Sequence, residues 1–73
     1  MTKRQREVLQ LTAQGYTADE VGKMLYLSAK TIKAHLRYVR VELDARNTTH
    51  AVALALLMGH LRPEELHEVK EAV

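Results

Sequence analysis

Four times along this chain a Thr, Ser or Asn stands directly ahead of a helix-periodic stretch: Thr2, Thr17, Ser28 and Asn47. Side-chain oxygens of these types accept hydrogen bonds from the unpartnered amides of a first helical turn, so each is a helix start. Gln5 follows Thr2 and Glu20 follows Thr17 at the spacing of a capping box. Gly15, behind Gln14, and Gly59 supply left-handed stops, Tyr26 and Leu27 form a tight connector, and Asp44, Ala45 and Arg46 interrupt the pattern. No segment combines period-two alternation with hairpin turn chemistry, so the predicted class is all-α. The expected elements are a first helix closed by Thr2 and Gly15, then helices over about 18–25, 29–43 and 48–58. Pro63 at a first-turn position, Glu64 and Glu65 behind it and Lys70 near the end predict a short fifth C-terminal helix over 63–72.

At 73 residues the chain is too short for two ordinary domains. It is expected to form one domain over 1–73, with its core in 2–59 and a C-terminal extension over 60–73. A chain of this size buries only about 60% of the surface its unfolded form exposes, so the core is small. There is no Cys, and His35, His50, His60 and His67 show no paired ligand spacing, so neither a metal nor a cofactor is expected. The absence of a Gly-rich phosphate loop and of a paired nucleophile and base argues against an enzyme. No apolar run approaches the roughly 18 residues of a membrane span and no signal-peptide pattern is present, so a cytoplasmic protein without membrane contact is expected.

The net charge of +2 conceals a division. Residues 1–40 carry eight Lys and Arg against three acids, a net of +5, whereas residues 41–73 carry three against six, a net of −3. One half of the chain is suited to an anion. On the third helix, Ile32, Leu36, Val39 and Leu43 share a narrow sector at 100° per residue, which faces the core. Lys30, Lys33, Arg37 and Arg40 cluster on the other side around Ala34, with no acid between Ala29 and Val41. Solvated helix faces usually mix signs. A DNA major groove has phosphates along its walls and base edges on its floor, and it admits one α-helix. Cations in a first turn also oppose the helix dipole, so Lys30 and Lys33 are unusual choices for stability alone. Lys3, Arg4 and Arg6 are equally open to phosphate contact or to plain solvation.

These residues carry a resemblance to the LuxR/GerE-type helix-turn-helix domain, the output module of many bacterial transcriptional regulators. The matching stretches are Thr2 to Leu9, Gly15-Tyr16-Thr17, Glu20-Val21, the run Leu27-Ser28-Ala29-Lys30-Thr31-Ile32-Lys33-Ala34-His35, and Asn47 to Val52. The resemblance implies a four-helix fold whose third helix enters the major groove and whose fourth pairs two protomers. By position it implies base-facing roles for Lys33, Ala34 and Arg37. Thr17, Ser28, Lys30, Thr31 and Arg40 fall where the family contacts phosphates or supports the turn. The expected partners are double-stranded DNA and a second copy of the chain, with RNA polymerase or a regulatory domain as further contacts. This sequence departs from the family pattern at Gln5, Gly22, Glu42, Asp44 and Thr48. Gly22 should cost its helix about 1 kcal/mol relative to Ala, and Glu42 and Thr48 should weaken DNA affinity.

The fourth helix supports dimerisation without family knowledge, because every residue from Ala51 to Met58 is apolar. A helix apolar all round must be buried all round, and so small a core covers one side only. Ala51, Val52, Leu54, Ala55, Leu57 and Met58 are therefore the expected interface, with Ala51 and Ala55 letting two helices approach closely. The alternative is a module resembling region four of sigma factors, or an adaptor acting through protein contacts; the fourth helix argues for the first reading. Tyr16, Tyr26 and Tyr38 are expected to be packing residues, Met24 and Met58 core fillers, and His35 a core-edge residue.

Overall fold

The computed structural model describes residues 1–63 and folds them into four helices: α1 Lys3–Ala13, α2 Ala18–Leu25, α3 Ala29–Glu42 and α4 Thr48–Leu57. No strand occurs among the described residues. The fifth helix expected over 63–72 lies, past Pro63, outside them.

Each helix begins on the predicted residue. Thr2 Oγ1 accepts from the Gln5 amide at 3.0 Å while Gln5 Oε1 accepts from the Thr2 amide at 3.0 Å. Thr17 and Glu20 make the same reciprocal pair at 3.2 and 2.8 Å. Ser28 Oγ takes the Thr31 amide at 3.1 Å, and Asn47 Oδ1 takes the His50 amide at 2.8 Å. His50 adds a bond the sequence did not suggest, its Nδ1 accepting from the Arg46 amide at 3.0 Å.

The four helices also end alike. A left-handed residue follows each one, and the next amide returns to a carbonyl five residues back, satisfying an acceptor that the helix leaves open. The left-handed residues are Gly15, Tyr26, Asp44 and Gly59, at φ 99°, 59°, 54° and 79°. The closing bonds run from Tyr16 to Leu11, Leu27 to Gly22, Ala45 to Arg40 and His60 to Ala55, at 3.3, 2.8, 2.8 and 2.8 Å. Glycine marks two of these stops in the sequence, whereas Tyr26 and Asp44 take the same conformation against the preference of an L-residue.

Two apolar clusters fill the interior. Val8, Val21 and Ile32 join α1, α2 and α3, and Leu9, Val39, Leu43, Ala51, Ala55 and Leu61 join α1, α3 and α4. Leu36 packs against both. Adjacent residues Val8 and Leu9 point about 100° apart on α1 and so serve different clusters. Leu61 is buried, which carries the core past the expected limit at Gly59.

Small aliphatic side chains complete this interior, and several larger ones are left outside. Tyr16, Tyr26 and Tyr38, expected to pack, are exposed, as are Met24 and Met58, expected to fill the core. His35 is half-buried at the edge of the core sector.

Gly22 is corrected from a defect to a fitted residue. A Cβ built there would stand 2.5 Å from the Leu27 carbonyl oxygen, so the turn between α2 and α3 lies directly against this position. Gly22→Ala is expected to destabilise the fold by roughly 1–2 kcal/mol, because backbone overpacking outweighs the gain of about 1 kcal/mol in helix propensity. Four residues on, Tyr26→Gly should stabilise by on the order of 0.5–1 kcal/mol, since its left-handed backbone suits glycine and its side chain is 95% exposed. Denaturant unfolding of both variants checks the pair; a Gly22→Ala protein more stable than the parent would show that the turn yields freely.

The α2 cap also makes stability depend on pH. The Glu20 carboxyl is held below its ordinary value of 4.5 first by the Thr17 amide, then by the Thr17 side chain and the charge of Lys23. A carboxylate with a lowered folded pKa contributes stability at neutral pH that is lost as pH falls through that pKa. Glu20→Gln keeps the cap geometry, as Gln5 does in α1, but removes the titration. The melting-temperature advantage of the parent over Glu20→Gln should therefore shrink below pH 4.5; a difference unchanged from neutral to acid pH would contradict this role.

Candidate nucleic-acid interface

The outer face of α3 is produced by its inner one. Ile32 and Val39 are fully buried and Leu43 nearly so, which fixes the helix about its axis and turns Lys30, Lys33 and Arg37 to solvent. Ala34 is half-buried among them, and Arg40 is partly buried at the side of the stripe. The two ion pairs given by the described residues, Arg4 with Glu7 at 3.4 Å and the Met1 nitrogen with Glu42 at 2.6 Å, use none of these cations. Glu42, expected to oppose an anion near the end of α3, thus directs its carboxylate to the start of the chain.

Thr17, Ser28 and Thr31 gather at helix starts. Thr17 and Ser28 are exposed and hold the first turns of α2 and α3, and Thr31 Oγ1 lies 2.9 Å from Ser28 Oγ. The Thr17 hydroxyl already serves the Glu20 carboxylate, and Ser28 and Thr31 use one proton between them, which leaves one hydroxyl proton of that pair for an outside acceptor. The start of α3 therefore offers a hydroxyl donor beside Lys30 and Lys33 on a helix whose N-terminal amides favour negative charge. Lys3 and Arg6 line a separate open depression between α1 and the residues that follow α4, with Glu7, Gln10, Gly59, His60 and Arg62.

The α4 surface differs from the expectation. Ala51 and Ala55 have no exposure and lie inside the protomer core, so they are withdrawn from the expected interface. Their small size lets α4 approach Leu9, Val39 and Leu43 closely. Val52 and Leu54 are half-buried against the same cluster, whereas Leu57 is 83% exposed and Met58 and Ala53 are exposed. The small residue on the free side is Ala53.

Sequence reasoning missed Val41 and Arg46. Val41 is 75% exposed although apolar, one turn beyond Arg37 on the outer face of α3. Its angular position was available, because it lies opposite the sector of Ile32, Leu36 and Val39. Arg46 lies in the connector, where helical periodicity gives no direction.

Comparison with known proteins agrees with this architecture. Residues 1–55 match the family model described as bacterial regulatory proteins, luxR family. The quorum sensing-dependent transcriptional regulator RpaR of Rhodopseudomonas palustris is 45% identical over 62 residues, covering 85% of this chain and 26% of RpaR. The transcriptional activator BjaR1 of Bradyrhizobium diazoefficiens is 43% identical over 63 residues, covering 86% of this chain and 26% of that protein. The spore germination protein GerE of Bacillus subtilis is 36% identical over 61 residues, which cover 84% of this chain and 82% of GerE. The chain spans about a quarter of the length of RpaR and BjaR1. No solved structure is a significant match. The chain belongs to the luxR family of bacterial regulatory proteins, a family of transcription regulators and not of enzymes. No helix among the described residues is long and apolar enough to cross a membrane.

Proposed function

We propose that this chain binds double-stranded DNA sequence-specifically to regulate transcription, with α3 lying in the major groove. The observation that carries the reading is the outer face of α3, where Lys30, Lys33, Ala34 and Arg37 stand together while the opposite row holds the rest of the fold. Lys33 and Arg37 reach base edges at the groove floor, and the low profile of Ala34 lets the helix approach. Thr17, Ser28, Lys30, Thr31 and Arg40 contact the flanking phosphates. Selection of bound duplexes from a random pool tests the reading and returns the half-site; recovery of no common motif would overturn it. On the selected duplex, Lys33→Ala and Arg37→Ala should each weaken binding and relax base preference, at about 1–3 kcal/mol per good side-chain–base pair. Lys30→Ala should instead weaken all duplexes alike. An unchanged motif and affinity in both Lys33→Ala and Arg37→Ala would remove the base-reading roles.

The second part of the proposal is a homodimer through the free side of α4. Ala53, Leu57 and Met58 form an apolar exposed patch, bordered by Val52 and Leu54, and such a patch marks an interaction surface. A two-fold pairing of one short helix per protomer is small, so it forms mainly on DNA, where two recognition helices sit about one helical turn apart on an inverted repeat. RNA polymerase and a regulatory domain of a longer protein remain further partners in this reading. Sedimentation on a two-half-site duplex checks the dimer: the parent should load two copies cooperatively, and Leu57→Glu should lose that cooperativity while still binding a single half-site. Non-cooperative loading by the parent would contradict the α4 interface.

A further inference from the structure

The end of α3 and the connector behind it enclose an open depression lined by Arg37, Arg40, Val41, Asp44, Ala45 and Arg46. Three arginines from two parts of the chain thus line one depression together with the apolar Val41 and Ala45. Asp44 offsets one charge, which leaves a net of two positive charges. We propose that this corner is a second DNA-backbone contact, with Arg46 as a phosphate-binding residue beyond those on α3 itself.

Three features support the assignment. The corner is held rigidly: the Ala45 amide donates to the Arg40 carbonyl at 2.8 Å, and the Arg46 amide donates to His50 Nδ1 at 3.0 Å. Arg46 is thus fixed at its amide to α4 and follows a residue whose amide is fixed to α3, so little chain ordering is required to present its side chain. The depression is continuous with the cationic stripe, because Arg37 borders both. Its chemistry also alternates as a nucleic-acid strand does, with an exposed apolar Val41 to lie against a deoxyribose and the guanidinium groups of Arg40 and Arg46 for the phosphates on either side. A free anion would use the cations and leave the apolar Val41 and Ala45 of the lining unexplained.

This inference rests on the DNA-binding reading and deepens it, and salt titration separates the two. The probe is the duplex recovered by selection, extended on both sides by flanking base pairs. Each phosphate neutralised adds about −0.9 to the slope of log K against log salt. Arg46→Gln, which keeps the amide bonded to His50, should make the slope shallower by about 0.9 per bound protomer. Between 50 and 200 mM salt the parent should therefore lose about 3.5-fold more affinity than the variant per protomer. The base preference should not change, and Arg46→Lys should restore the parental slope. Equal melting temperatures of parent and variants establish that folding is not the cause. A parental slope in Arg46→Gln, a shifted base preference, or failure of Arg46→Lys to restore the slope would each overturn the phosphate contact. A flat salt response in the parent would overturn the DNA-binding reading itself.

Discussion

One apolar row on α3 holds this molecule together. Ile32 enters the cluster with Val8 and Val21, Val39 and Leu43 enter the one with Leu9, Ala51, Ala55 and Leu61, and Leu36 lies between them. All three other helices pack on this row, directly or through the clusters it completes. Because both ends of α3 are packed in different clusters, the helix can neither roll nor tilt without opening one of them. The base-reading role proposed for this surface would need such placement, since geometry built on a packed helix is more accurate than geometry on a loop. The same row leaves the opposite face uncovered, and that face carries the cations.

The short helices around α3 depend heavily on the chemistry of their ends. Helices of 8 to 14 residues have a large share of their backbone groups in the first and last turns. Here each start has a side-chain acceptor and each stop a left-handed residue with a return bond. Two of these devices also position functional groups. The Tyr26 turn brings the start of α3 against Gly22, and the Asp44 turn swings the chain back so that Arg46 joins Arg37 and Arg40 at one corner. Left-handed strain at Tyr26 and Asp44 thus accompanies the two corners that bound α3.

A small core also decides what remains outside. The larger cluster takes Ala51 and Ala55 from α4 and has no room for Leu57 or Met58, which remain as an apolar surface. Val41 and Tyr38 are left outside on α3 for the same reason, at positions remote from the packed row. Val41 thereby lies beside the cationic corner, and Leu57 and Met58 on the free side of α4.

The amino-acid sequence by itself determined the helix starts at Thr2, Thr17, Ser28 and Asn47, the inner row of α3 and its cationic outer face. Capping and helical periodicity act within a few residues, so they can be read along the chain. Tertiary structure alone decided which side of α4 turns inward, because a helix apolar all round has no preferred angle and only the space beside Leu9, Val39 and Leu43 selects its alanines. It decided that Gly22 is a contact rather than a weak point, because the obstacle is a carbonyl five residues away that becomes a neighbour only when the turn closes. It also brought Arg46 to Arg37, since a connector has no period and its direction is set by the left-handed residue at Asp44 and the two backbone bonds that follow it.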